Sequence, residues 1–76
     1  MKAHAKLRAA MVEADVDGRY LARKLGRGTA YVSIRMMGHE SWELDECYTI
    51  LDLLRLPYDK LAEYFPPRGL AQKKTS

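Results

Sequence analysis

The chain has 76 residues, a formal net charge of +3 and a single cysteine. That length holds one domain, which buries only about 60% of the surface its unfolded chain exposes, so function has to sit on the outside. A lone Cys47 makes no internal disulfide, no apolar run reaches the ~18 residues of a membrane span and the N-terminal stretch lacks the apolar segment of a secretory signal, so a cytoplasmic location is expected.

An apolar stripe at Leu7, Ala10, Met11 and Ala14 predicts a first helix from about Ala3 to Ala14, with Lys2, Lys6 and Arg8 left in water. Asp15-Val16-Asp17-Gly18 stops it. Val16 is expected to plug into the core from this connection, and Asp17 to cap the next helix by accepting a backbone N–H. That second helix, about Gly18 to Leu25, turns Leu21, Ala22 and Leu25 inward and Arg19, Arg23 and Lys24 outward. Gly26 breaks the run, and Tyr31, Val32 and Met36 mark a third helix over about Thr29 to Met37. Two short helices with so little between them cross steeply. Ala22 permits their close approach, and Gly26 supplies the positive backbone angle of the turn. This is the sequence signature of a helix-turn-helix, whose second helix can enter a DNA major groove.

The stretch Leu21-Ala22-Arg23-Lys24-Leu25-Gly26 resembles the Leu-Ala-x-x-Leu-Gly segment of lambda-repressor-like helix-turn-helix domains of the Cro-repressor or xenobiotic-response-element (XRE) type, common in phage and bacterial regulators. With its flanking helices, the resemblance covers about residues 5–65. It implies double-stranded DNA as partner and puts Thr29, Ala30, Ser33 and Ile34 against base edges in the groove. Such a set reads weakly, because Thr and Ser bond either kind of base and no bidentate Arg, Asn or Gln stands among them. Phosphate contacts are expected from Arg19, Arg23, Arg27 and His39. The pattern departs from the family at Gly18, where relatives carry a Gln, and at Arg27 and Arg35, where they carry aliphatic residues. Arg27, in the turn, can point at the phosphate backbone. Arg35 can lay its stem on apolar surface and reach an acidic residue of the next helix, or it can meet a phosphate.

Gly38 to Glu43 is read as a loop in which His39 is exposed and Trp42 closes over the core. A fourth helix, capped by Ser41 or Glu43 and running to about Arg55, carries Leu44, Cys47, Tyr48, Ile50, Leu51 and Leu54. That apolar face is too broad for one side of a tiny core, so part of it is left for a partner, while Cys47 itself reads as a small buried hydrophobe. Pro57 starts a last helix through Tyr58, Leu61, Ala62, Tyr64 and Phe65, which Pro66-Pro67 stops. Domain members commonly dimerise, and here Tyr48, Tyr58, Tyr64 and Phe65 are the candidate homodimer surface. The expected architecture is all-α, a compact five-helix bundle with a central helix-turn-helix over residues 1–67, followed by a disordered basic tail over 68–76 containing Lys73 and Lys74.

Charge is divided along the chain. Through Arg35, Lys2, Lys6, Arg8, Arg19, Arg23, Lys24, Arg27 and Arg35 face only Glu13, Asp15 and Asp17. From Glu40 to Phe65 the balance reverses, with Glu40, Glu43, Asp45, Glu46, Asp52, Asp59 and Glu63 against Arg55 and Lys60. A basic half that coincides with the helix-turn-helix points to a polyanion. No catalytic constellation accompanies it. His4 is expected in a frayed N-terminus, Gly26-Arg27-Gly28-Thr29 lacks the Lys-Ser/Thr of a phosphate loop, and metal ligands are too few. The reading is therefore a small DNA-binding transcriptional regulator, not an enzyme, with no cofactor and no small-molecule ligand. Its rival is the same fold used as a protein-interaction adaptor of a phage or mobile element, favoured by the thin base-reading set and the surplus apolar surface.

Overall fold

Leu7, Leu21, Val32, Ile50 and Leu51 are the largest side chains withdrawn completely from water, and they come from four different helices. The computed structural model describes residues 4–66. Within them lie α1 (Ala5–Glu13), α2 (Gly18–Leu25), α3 (Thr29–Met36), α4 (Leu44–Leu53), a 3-10 turn (Tyr58–Lys60) and α5 (Leu61–Tyr64), with no strand among the described residues. The architecture is thus all-α with five helices. The boundary expected at 67 and the tail 68–76 lie outside the described residues.

One helix alone cannot hide its apolar stripe, so the four longer helices converge on a shared centre. Met11, Ala22, Met36 and Leu54 join Leu7, Leu21, Val32 and Ile50 in one core, and Val16, Leu25, Tyr31, Trp42, Tyr64 and Phe65 pack around it. Each fully buried aliphatic side chain contributes about 1.5–3 kcal/mol by leaving water. Val16 plugs in as expected from its connection. Ala14 does not join the stripe of α1: it is the exposed residue that closes the helix. The next residue, Asp15, takes a left-handed conformation at φ 62°, which ends the helical path.

The C-terminal part differs from expectation in two ways. Helix α4 stops at Leu53 rather than near Arg55, because Arg55 adopts φ 59° and turns the chain out of the helix. The last helix then begins with a 3-10 turn after Pro57, so only Leu61–Tyr64 is α-helical. His4 is also not frayed. Its ring lies 5.9 Å from that of Phe65, its Nδ1 is 3.4 Å from the Tyr64 carbonyl, and Lys6 forms an ion pair with Glu63 at 3.3 Å. Helix α1 is therefore tied to α5.

Cys47 is buried on α4, where burial first and the Glu46 carboxylate second push its thiol from 9.0 up to about 11. The thiolate is the reactive form, so this shift alone removes about a hundredfold of it at neutral pH. Thiol-labelling kinetics are expected to show Cys47 reacting at least about 100-fold slower in the native protein than in urea. Equal rates would mean that α4 opens freely.

Candidate nucleic-acid interface

Helices α2 and α3 share the most extensive contact of any helix pair among the described residues. The approach rests on Ala22, 3% exposed, since a longer side chain there would hold the helices apart. Asp17 Oδ1 accepts the Tyr20 N–H at 2.9 Å and caps α2. At the other end Gly26 takes φ 68°, and the Arg27 N–H donates to the Ala22 carbonyl at 2.9 Å. Gly28 opens α3 with extended backbone and no side-chain cap. These are the local causes of a tight turn.

Val32 and Met36 face the core, while Thr29, Ala30, Ser33 and Ile34 are all exposed on α3. Arg19 and Arg23 are exposed on α2, and His39 follows Gly38, which has φ 84°. The structure brings Arg19, Thr29 and Ser33 to one groove between α1, α2 and α3, about 730 Å³ in volume. Arg23 is not part of that groove. Its guanidinium lies 5.6 Å from the centre of the Tyr20 ring, and the Lys24 ammonium lies 5.4 Å from the same ring.

Arg27 departs from expectation. Rather than pointing outward, its guanidinium reaches Glu46 at 3.4 Å and Glu43 at 3.7 Å, at the start of α4, and lies 4.5 Å from the Tyr31 ring centre. Glu46 is the buried charged residue that anchors this cluster. Its Oε2 accepts the Tyr31 hydroxyl at 2.6 Å and its Oε1 accepts the Glu43 N–H at 3.1 Å. The hydrogen bond to Glu46 pushes the Tyr31 phenol above its ordinary value, with desolvation acting in the same direction. A phosphate at Arg27 would have to compete with two carboxylates.

Arg35 forms no ion pair with an acidic residue among the described residues; its guanidinium carbon lies 3.5 Å from the centre of the Tyr31 ring, one turn earlier on the same helix, and it donates to the Tyr31 carbonyl at 3.3 Å. The Tyr31 ring is thus contacted by two arginines. Tyr64 and Phe65, expected at a dimer surface, pack on the core instead, and Trp42 meets Phe65 edge-on at 6.4 Å. Tyr58 is exposed and Tyr48 half-buried, their ring centres 4.8 Å apart, with the Tyr58 hydroxyl donating to Asp52 at 2.9 Å.

Glu46 was not singled out from sequence, although Glu43 three residues before it carries the spacing of a capping box. Asp17 has a second consequence that its capping role conceals. A carboxylate already sits where an anion would meet the N-terminus of α2. Gly18, beside it, has room for a side chain, since an added Cβ would meet Val32 only at 3.8 Å. Among the described residues, no group of three or more His, Cys, Asp or Glu could hold a metal ion, and no helix is long and apolar enough to cross a membrane. Comparison with known proteins yields no family model, no curated protein and no solved structure that matches this chain.

Proposed function

We propose that the chain binds double-stranded DNA through α3, as a small transcriptional regulator of the lambda-repressor-like kind. The observation that carries this reading is the exposed edge of α3, with Thr29, Ala30, Ser33 and Ile34 all open, held against α2 and beside Arg19. In this reading α3 lies in the major groove, where Thr and Ser bond bases and Ala30 and Ile34 touch thymine methyls. Arg19 and Arg23 hold phosphates, and His39 sits on the following loop. Arg27 contributes less than its charge suggests, because Glu43 and Glu46 already occupy it. A short reading set of this kind implies modest sequence preference, aided by DNA shape.

The test is fluorescence anisotropy of a mixed-sequence duplex at ~50 and ~200 mM salt, where about three phosphate contacts predict a log-log slope of roughly −3. Arg19→Ala with Arg23→Ala is expected to weaken binding on every duplex and to flatten the slope by about two. No binding at the lower salt overturns the reading. The adaptor alternative has its own support in the apolar residues that border the same groove, Val12 and Met37.

A milder variant probes the N-terminus of α2. Asn caps as well as Asp, so Asp17→Asn is expected to leave stability within a few tenths of a kcal/mol. Removing that negative charge from beside a phosphate is expected to tighten DNA binding about 2- to 5-fold at low salt. Unchanged affinity at both salts would mean that no phosphate passes this helix end.

A further inference from the structure

Two surfaces of this chain are apolar at their centres and opposite in charge. The first is the groove between α1, α2 and α3, floored by Met11 and Val16 and bordered by Val12, 80% exposed, and Met37, 53% exposed. Its lining carries two cations, Arg8 and Arg19, against one carboxylate, Asp17, which caps α2, so the groove is basic on balance. The second is the outer face of α4. Leu44, Tyr48 and Asp52 follow one another at four-residue spacing, so they form one ridge, flanked by the exposed Asp45 and by Tyr58, which packs on Tyr48 and bonds Asp52. Leu44 is 59% and Tyr58 53% exposed.

From this pairing we infer that copies of the chain associate head to tail, the α4 ridge of one copy seated in the groove of the next. Charge decides the arrangement. A two-fold dimer through the α4 ridges would bring two acidic surfaces together, and one through the grooves would bring two surfaces that are basic on balance. Only the head-to-tail contact sets Asp45 and Asp52 against Arg19 while burying Leu44 and Tyr58 on Val12 and Met37. Such a contact leaves one groove and one ridge open on the terminal copies, so assembly grows with concentration rather than stopping at two. It stands independently of the DNA reading, although a copy seated in the groove covers Thr29 and Ser33.

Sedimentation velocity of the full chain at about 50 and 500 mM salt tests it, since screening at the higher salt removes most of the attraction between exposed charges. The expected result is a weight-average mass above the 8.7 kDa of one chain at low salt, rising with concentration and returning to monomer at high salt. Two surface variants separate the geometries, with circular dichroism showing that both stay helical. Val12→Glu with Met37→Glu closes the groove, and Asp45→Lys with Asp52→Lys reverses the ridge. Each alone is expected to be monomeric, while an equimolar mixture associates again, the ridge of the groove variant meeting the groove of the ridge variant. A groove variant that associates like the unmodified chain points to a two-fold dimer through α4 and overturns the inference. So does a mixture that stays monomeric, or an unmodified chain that is monomeric at low salt throughout the concentration range.

Discussion

Leu21→Ala is expected to destabilise the protein by about 2–5 kcal/mol, the range for removing a buried leucine whose surroundings relax only in part. Leu21 is 0% exposed and lies on α2, the helix that packs on both α3 and α4. The void would therefore open where three helices meet, and none can close it without pulling away from another partner. A chain of this length has a total stability of roughly 4–11 kcal/mol, so the loss takes a large share of it. Thermal unfolding followed by circular dichroism is expected to show a midpoint lower by on the order of 10–30 °C. A loss under about 1 kcal/mol would show that the core collapses freely around α2 and is less specifically packed than its burial indicates.

The second large effect is expected at Glu46. Glu46→Ala removes the acceptor of the Tyr31 hydroxyl and of the Glu43 N–H, together with the ion-pair partner of Arg27. The half-buried Tyr31 hydroxyl would be left without its partner, while Arg27, more exposed, recovers part of its hydration. The net cost is about 2–3 kcal/mol, set mainly by charge-assisted hydrogen bonds to a buried carboxylate. Glu46→Gln keeps the shape and one acceptor oxygen and is expected to cost about half as much. Urea unfolding of Glu46→Ala, Tyr31→Phe and the double variant separates the pair. Costs that fall short of additivity by about 1 kcal/mol or more identify the Tyr31–Glu46 bond as a coupled contact, and strict additivity would show that the two act independently.

Much of the helical path is legible in the residues themselves, because its causes are local. Asp17 caps the Tyr20 N–H, Gly26 supplies a positive φ at the turn, and the spacing of Leu21, Ala22 and Leu25 defines one face. What periodicity does not carry is contact between elements. Arg27, Tyr31, Arg35 and Glu46 come from the turn, α3 and α4, and read separately as three charged residues and one member of an apolar helical run. Only their meeting turns Arg27 from an outward cation into the partner of two carboxylates. The same holds for His4, whose ring finds Phe65 from the far end of the chain. Arg55 hid the end of α4 for another reason: positive φ in a residue with a Cβ leaves no sign in composition. At the site, the resemblance names Thr29, Ala30, Ser33 and Ile34, and all four are exposed on α3, although spacing alone would set Thr29 on the side of Val32.

The seam between α1 and α5 gives the fold the path of a ring without a bond to close it. His4 meets Tyr64 and Phe65, and Lys6 meets Glu63, so the first and last helices of the described residues lie side by side. A host protein interrupted in a surface loop would find its two cut ends held next to each other by this guest. Adjacency of that kind is what makes domain insertion and circular permutation tolerable, so the unit suits splicing into another protein as readily as addition to one of its ends.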